Sequence, residues 1–301
     1  MVRKESDFKV RKESFGSKCF NVFNIIFMIF MIVITAYPML YVAFASVSDS
    51  NELMSHSGLL LRPLGFNLKG YTEVFKNPMT LSGFGNTIFY VIAGTALNMV
   101  VTTLGAYALS RPQLWIKKYV NLGIVFTMFF SGGLIPAYLL VKDLGLYDTR
   151  WALLLPVAVN SWNYMVMRSS FTGFSRSLEE AAKIDGANDF MILFRIALPV
   201  FKSTIAVMVL FYAVGHWNSW FQASIYLSRR ELYPLQLYLR EILILSNTET
   251  MNSGANTGDA YAISETIKYS TVMISTIPIL IVYPFLQKYF VNGVMVGAVK
   301  E

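Results

Sequence analysis

The chain has 301 residues, of which 55% are hydrophobic and 14% charged, with a mean hydropathy of +0.50 and a formal net charge of +7. In soluble domains about a quarter of all residues are charged. This composition therefore excludes an ordinary soluble protein and predicts an integral membrane protein. The single cysteine, Cys19, excludes a disulfide framework, and two distant histidines, His56 and His216, leave no basis for a metal site.

The N-terminal residues 1–18 are basic, and the uncharged stretch 19–48 follows them directly. Ala43-Phe44-Ala45 imitates a cleavage site, but the apolar stretch is far longer than the roughly 7–15 residues of a signal peptide. We therefore expect a cytoplasmic N-terminal segment at 1–18 and a first transmembrane helix at 19–48. The basic run is interpreted as an orientation signal, and no nucleic acid is expected as a partner.

Residues 49–76 are expected to form an extracytoplasmic segment, and residues 77–290 a core with five more transmembrane helices. A spanning helix needs about 20 residues, within a range of roughly 17–25. Five further stretches without Asp, Glu, Lys or Arg reach that length: 77–110, 119–141, 151–167, 203–228 and 269–287. Lipid cannot satisfy backbone polar groups, so the predicted fold is all-α with six transmembrane helices. The prolines inside these spans, each predicted to kink its helix, are Pro38, Pro136, Pro156 and Pro278.

The distribution of positive charge predicts the orientation of these spans. With the N-terminus inside, most of the 25 Lys and Arg residues fall in segments that face the cytoplasm. Because cytoplasmic loops carry the excess of Lys and Arg, both termini, including the tail 291–301, are predicted to be cytoplasmic.

No source of energy for transport is visible in the chain itself. It has no G-x-x-x-x-G-K-[ST] nucleotide loop and no recognisable catalytic constellation, so neither enzyme activity nor a cofactor is predicted. A stand-alone secondary transporter would be expected to carry acids or bases at mid-membrane, and only Glu265 and Lys268 come near. Their spacing favours an ion pair on a helix surface.

The cytoplasmic segment 168–202, between the fourth and fifth spans, has the pattern of two short helices. Ser177 and Glu180 stand in the spacing of a capping box, in which Ser177 accepts from the Glu180 backbone N–H. This predicts a helix over 178–185, ended by a left-handed turn at Gly186.

One face of this predicted helix is small and flat, because two alanines allow close approach of a partner. Helical spacing places on that face Leu178, Ala181, Ala182 and Asp185. Asn188 is suited to cap the second helix, which carries Ile196, Leu198 and Pro199.

The residues of this segment match a known motif without a gap. Glu180-Ala181-Ala182, three residues, Gly186, nine residues and Ile196-Ala197-Leu198-Pro199 resemble the EAA loop of permease subunits of binding-protein-dependent ABC importers. The resemblance implies the type I ABC importer permease (MetI-like) fold and a coupling helix that docks on an ATPase subunit. It assigns the coupling role to Ser177, Glu180, Ala181, Ala182, Asp185, Gly186, Ile196, Leu198 and Pro199. An unrelated amphipathic surface helix is the alternative.

Other stretches are similar to the carbohydrate branch of this family, the smaller permease of maltose-type importers. They are residues 106–111, 145–156 and 297–301. Residues 217–220 and 233–242 resemble permeases of lipoprotein-associated and polygalacturonan or complex-oligosaccharide systems. The resemblance covers residues 20 to 301, and the chain ends in Glu301 where family members often end in glycine.

The resemblance also implies partners and a substrate class. The partners are a second homologous permease, two copies of an ATP-binding ABC subunit that hydrolyses the ATP, an extracytoplasmic solute-binding protein and the lipid of a bacterial cell membrane. The substrate is a sugar, with oligosaccharides derived from pectin or uronates among the candidates. A non-sugar ABC importer and a stand-alone secondary transporter remain the alternatives.

Polar and aromatic residues inside the spans are candidates for the substrate path. They are Asn98, Asn160, Asn163, Tyr212, His216, Trp217, Asn218, Trp220 and Gln222. Aromatic faces stack on sugar rings while amides bind hydroxyls, although an interfacial aromatic belt and helix-to-helix hydrogen bonds explain these residues equally well. Residues 229–259 are long enough to receive a binding protein, and within them the polar stretch 246–261 is predicted as a loop.

Overall fold

The computed structural model describes residues 14–252 and 265–284 of the chain. These residues form helices, and the only pairing of extended backbone among them is one antiparallel bridge between Ser48 and Phe66. In chain order the helices are α1 (Phe15–Ser46), α2 (Ser50–Ser55), α3 (Lys69–Lys76), α4 (Pro78–Ser110), α5 (Lys117–Phe129), α6 (Leu134–Asp143), α7 (Trp151–Leu154), α8 (Ser161–Thr172), α9 (Arg176–Ile184), α10 (Asp189–Met191), α11 (Leu198–Val200), α12 (Lys202–Trp217), α13 (Phe221–Tyr226), α14 (Leu235–Asn252) and α15 (Glu265–Pro284). A π-helical segment, Ile192–Ala197, joins α10 to α11, and a 3₁₀ turn, Arg230–Leu232, precedes α14.

Three helices are long and apolar enough to cross a membrane as single spans: α1, α4 and α15. This agrees with three of the predicted windows. Helix α1 begins at Phe15, four residues before the predicted span, because the Ser14 side chain accepts a hydrogen bond from the Ser17 N–H and caps it. At the start of α15, Lys268 and Glu265 form the expected ion pair, with 2.5 Å between Nζ and Oε1.

One further predicted span, 119–141, is bent, because helices α5 and α6 meet at 119°. The helical segment 189–200, which was predicted to be cytoplasmic, meets α12 at 87°. The first bend is at Gly133, whose φ of +88° is open to glycine and strained for other residues. With each bent pair counted as one span, the described residues contain up to five spans by length and composition.

The prediction of a continuous helix over 151–167 is wrong. Only four residues form α7, and α8 starts afresh at Ser161. Pro156, which has no N–H to donate, lies in the break, and the Asn160 side chain caps α8 by accepting from the Asn163 N–H at 3.0 Å. A stretch without charged residues therefore indicates an apolar segment but does not establish that the helix is continuous. The same holds for the window 203–228, in which α12 ends at Trp217.

Helix α4 is the centre of the packing and contacts α8, α12 and α14. Close approach requires a small residue where α4 meets α12, because a Cβ at Gly94 would overlap the imidazole of His216. Helix α1 is different, since its residues 15–35 are all exposed, and residues near its C-terminal end pack against other described residues. There the Tyr37 hydroxyl accepts from the Leu60 N–H at 3.1 Å, and the Tyr41 ring meets Tyr269 edge-on.

The long segment before α15 differs from its prediction. Residues 246–252, expected to start a loop, continue helix α14. The remainder of that predicted loop lies outside the described residues, as do residues 1–13 of the basic N-terminal segment and the tail 291–301.

Candidate functional site

Helix α9 forms in the predicted segment but starts differently. It begins at Arg176, two residues before the predicted start, with Ser175 at the N-cap position. The capping box predicted between Ser177 and Glu180 is therefore wrong, because Ser177 is already inside the helix. Its hydroxyl instead pairs with the Ser175 hydroxyl at 2.7 Å.

The end of α9 is as predicted. Asp185 is the C-cap residue, and Gly186 takes a φ of +82°, with its N–H bonded to the Lys183 carbonyl at 3.0 Å. Such a left-handed residue after a helix favours glycine because it has no Cβ. Asn188 caps α10 as expected, since its Oδ1 accepts from the Met191 N–H at 2.8 Å. Beyond α10, Ile196 and Leu198 are half-buried and Pro199 is exposed.

The residues predicted to share one face of α9 are divided between two faces. Ala182 is buried in a core cluster with residues of α4 and α8, so it does not belong to a free docking surface. Leu178, Ala181 and Asp185 are exposed, and so is Glu180. Ile184 joins this outer face with 86% of its surface exposed. The outer face of α9 is therefore more apolar than the sequence pattern indicated.

Glu179, which the sequence pattern did not single out, anchors α9 to the rest of the protein. Its side chain is buried, and its carboxylate accepts from the Lys183 Nζ at 2.9 Å and from the Arg111 guanidinium. Arg111 follows the last residue of α4, and it also donates to the Phe171 carbonyl of α8 at 2.6 Å. Its guanidinium lies 4.7 Å from the centre of the Tyr107 ring. This cluster, which we call the α4–α9 anchor, comprises Arg111, Glu179 and Lys183.

The anchor is charged at neutral pH. Burial raises the pKa of Glu179. The hydrogen bonds from Lys183 and Arg111 and the positive charges of these two side chains lower that pKa by more than burial raises it, so the net shift is downward. The hydrogen bond to Glu179 raises the pKa of Lys183. A signal for this pair was present in the sequence, since Arg111 closes one of the stretches that resemble the carbohydrate branch, but the pairing itself depends on the fold.

A second site is a cavity of about 210 Å³ beside the middle of α4. We call it the neutral cavity. Its lining includes six of the predicted path residues: Asn98, Asn160, Asn163, Tyr212, His216 and Gln222. These residues come from α4, α8, α12 and α13 and the segments between them. None of the described residues that line the neutral cavity is Asp, Glu, Lys or Arg.

Asn98 and His216 form the polar centre of the neutral cavity, and both are buried. The Asn98 amide nitrogen donates to the carbonyls of Val157 and Ala158, at 2.6 and 2.9 Å. Its Oδ1 lies 2.6 Å from His216 Nε2. Because an amide oxygen only accepts, Nε2 must carry the proton. This network holds the break between α7 and α8 against α4.

The other candidate path residues do not line this cavity. The Trp217 indole donates to the Ser275 carbonyl of α15 at 3.2 Å, and the Asn218 side chain is exposed. The Arg240 guanidinium lies against Trp220, 3.6 Å from the centre of the indole ring. The structure therefore separates these three residues from the six that it brings together.

Comparisons with known proteins agree with this architecture. Residues 106–296 match the family described as the binding-protein-dependent transport system inner membrane component. The chain is 41% identical to the protein LplC of Bacillus subtilis over 285 residues, which cover 95% of this chain and 96% of that protein.

Two further likenesses concern sugar transport proteins. The polygalacturonan/rhamnogalacturonan transport system permease protein YtcP of Bacillus subtilis is 39% identical over 279 residues, covering 91% of this chain and 96% of that one. A chain in the crystal structure of a bacterial ABC transporter involved in the import of the acidic polysaccharide alginate matches with a TM-score of 0.83 and 32% identity. That match covers 93% of this chain and 100% of the other.

Proposed function

The chain belongs to the binding-protein-dependent transport system inner membrane component family, and on that premise we propose that it is the permease subunit of an ATP-driven importer of oligosaccharides. Its relatives named above support a sugar substrate, because one is a polygalacturonan/rhamnogalacturonan permease and another belongs to an alginate importer. The ATP is hydrolysed by partner subunits rather than by this chain.

The observation that carries the proposal is the attachment of α9. Its outer face, with Leu178, Ala181 and Ile184 exposed, is free to seat in an apolar groove of an ATPase subunit. Its inner face is tied through Glu179 to Arg111 at the end of α4. A displacement of α9 by the ATPase is therefore passed directly to the helix that also lines the neutral cavity.

The neutral cavity supports the choice of a sugar. Asn163 and Gln222 contribute amide side chains to its lining, and Tyr212 contributes an aromatic ring. Neutral donors and acceptors with an aromatic wall suit hydroxyl-rich substrates in a setting where charges are expensive. In alternating access this cavity would open first to one side of the membrane and then to the other.

The full assembly in this proposal contains this chain, a second homologous permease, two ATP-binding subunits and an extracytoplasmic solute-binding protein. Both termini of the chain lie in the cytoplasm of a bacterial cell. The positive charge of the segments around α9 and at the N-terminus supports this orientation.

The test is sugar-stimulated ATP hydrolysis by the complete complex in lipid vesicles, with Gly186→Trp as the variant. Among the described residues nothing lies within 4 Å of a Cβ at Gly186, so the tryptophan places its bulk on the open side of the turn after α9, with backbone strain at a φ of +82°. We expect stimulation to be abolished. Gly186→Asn is the matched control, because asparagine tolerates the left-handed turn and adds little bulk, and it should retain most of the stimulation.

Two outcomes would contradict the proposal. Normal stimulation of the Gly186→Trp complex would show that the turn after α9 does not lie at the ATPase interface. Uptake by the chain alone under an ion gradient, without an ATPase partner, would make it a secondary transporter.

A further inference from the structure

A second polar cavity, of about 320 Å³, lies between α13, α14 and α15 and has no role in the proposed function. We call it the arginine cavity. Its volume is within the range of roughly 300–1,000 Å³ that is usual for small-molecule sites. Its lining residues are Trp220, Gln236, Leu239, Arg240, Leu243, Thr271, Val272 and Ser275. Residues just before and within α13 contribute to both cavities, since Gln222 lines the neutral cavity and Trp220 the arginine cavity.

Arg240 is the charged group of this cavity, and it has no ion pair among the residues that the structure describes. The acid next to it in sequence, Glu241, pairs instead with Arg230, with 3.4 Å between Nη2 and Oε2. The Arg240 guanidinium lies 3.6 Å from the centre of the Trp220 ring. At this distance its face is covered by the indole, which leaves the N–H groups at its edge available for a planar anion.

Thr271 provides a second, independent sign of a ligand. Only 1% of its surface is exposed, it lines the arginine cavity, and its hydroxyl has no hydrogen-bond partner within the described part of the chain. Leaving a buried polar group without a partner costs about 1–3 kcal/mol, so such groups are rare in native structures. A ligand hydroxyl in the cavity would satisfy it.

We propose that the arginine cavity is a subsite for a sugar acid, in which the Arg240 guanidinium binds the carboxylate and Thr271 binds a ring hydroxyl. The Gln236 amide, which lines the same cavity, supplies a further donor and acceptor. This inference rests on the proposed function and narrows its substrate to oligosaccharides that contain uronate residues.

The charge of the site favours a carboxylate over a phosphate ester. A guanidinium and a carboxylate match in geometry through two parallel hydrogen bonds and in charge one to one. A phosphate monoester carries about −1.5 to −2 at pH 7. Arg240 is the only Lys or Arg among the described residues that line this cavity, so a phosphate would keep an unbalanced charge there.

The experiment compares the uptake of digalacturonate with that of its methyl ester by the complete complex in vesicles. The ester keeps the hydroxyls and removes the charge. Hydrogen bonds to charged groups contribute about 1.5–3 kcal/mol, and 1.4 kcal/mol is a factor of ten. We therefore expect Arg240→Gln to lower the ratio of acid to ester uptake about tenfold or more.

The control is Arg62→Gln, which removes an arginine that is also exposed, has no ion pair among the described residues and does not line the cavity. It should leave the acid-to-ester ratio unchanged. The solute-binding protein is the same in each assay, so a difference between variants reports on this chain. Arg240→Lys keeps the charge but not the planar fork, and we expect an intermediate ratio.

Thr271→Val tests the hydroxyl contact with nearly the same volume. We expect uptake of both acid and ester to fall several-fold while thermal stability is kept or rises, because the variant removes an unpaired buried hydroxyl and breaks no hydrogen bond among the described residues. Thr276→Val on the same helix is the control, since its hydroxyl already donates to the Val272 carbonyl.

The outcomes separate this inference from the function it rests on. An acid-to-ester ratio that is equal in wild type, Arg240→Gln and Arg62→Gln would overturn the sugar-acid site while the importer assignment stands. The same holds if the wild-type complex takes up only neutral sugars. If no sugar stimulates the wild-type complex at all, the proposed function fails and the subsite fails with it.

Discussion

The α4–α9 anchor and the neutral cavity lie on the same helix, yet they bury polar groups by opposite chemistry. At the end of α4, Arg111 holds Glu179 through a charged pair. At its middle, Asn98 holds His216 and two carbonyls through neutral hydrogen bonds. Charge-assisted hydrogen bonds are roughly twice as strong as neutral ones. In the proposed transport cycle, the anchor would transmit force and benefits from the stronger kind, and the neutral cavity would contact a substrate and benefits from the weaker kind.

The largest effect is expected when the charged pair of the α4–α9 anchor is broken. Glu179→Ala leaves the Arg111 guanidinium buried without its counter-charge, and breaking a buried pair costs about 3–5 kcal/mol. We expect a loss of that order in the free energy of unfolding, and the loss of sugar-stimulated ATP hydrolysis because α9 is no longer tied to α4. Chemical unfolding and vesicle ATPase assays measure the two effects.

The control for this prediction is the neighbouring glutamate. Glu180 is exposed, so Glu180→Ala should change the free energy of unfolding by less than about 0.5 kcal/mol. A Glu179→Ala protein that unfolds like wild type would show that the anchor is dispensable, and the proposed route of force from α9 to α4 would be wrong.

A smaller effect is expected on the neutral side. Asn98→Ala removes the partner of the His216 imidazole and of the carbonyls of Val157 and Ala158. Hydrogen bonds between helices in membranes average about 0.6 kcal/mol and reach about 1.7, so we expect a loss of about 1–2 kcal/mol in unfolding free energy. Sugar uptake should fall as the break between α7 and α8 moves away from α4.

Asn218→Ala is the matched control on the neutral side, because the Asn218 side chain is exposed and outside the neutral cavity. Uptake by this variant should remain within about twofold of wild type. If Asn218→Ala impairs uptake as much as Asn98→Ala, the neutral cavity is not the part of the path that limits transport.

The smallest effect is expected in the pH dependence of the free energy of unfolding that Glu179 contributes. The pKa of Glu179 is lowered in the folded protein, so its contribution to stability is fully present above the pKa of an unfolded glutamate, about 4.3. That contribution is lost as the pH falls through the lowered folded-state pKa. We expect the difference in unfolding free energy between wild type and Glu179→Gln to be constant near neutral pH and to shrink in acid. A difference that stays constant down to the lowest pH at which the complex is intact would contradict the assigned charge.

The sequence allowed the turn and the cap within the segment 168–202 to be predicted, because their signals are local. Gly186 and Asn188 act on backbone groups within a few residues of themselves, and both take the predicted conformations. The start of α9 was missed because Ser175 and Ser177 are both acceptable at a helix N-terminus. The wrong assignment of Ala182 to the outer face followed from helical spacing alone, which does not say which side of a helix meets the core.

The elements that could not be predicted depend on residues distant in sequence. Glu179 is paired with Arg111, 68 residues away, and Asn98 with His216, 118 residues away. The break after α7 is held by α4, because the Asn98 amide donates to the carbonyls of Val157 and Ala158. No count of uncharged residues reveals such a contact. Trp217 and Trp220 look alike in the sequence, yet one is bonded to α15 and the other supports Arg240.

The sequence by itself determined that the chain is a membrane protein, where its principal apolar segments lie and that it carries the coupling motif, since hydropathy and turn chemistry act over short distances. Only the tertiary structure decided which polar groups meet. A buried charge or amide is tolerated only where a partner from another helix satisfies it, and the packing of α8, α9, α12 and α14 around α4 selects those partners.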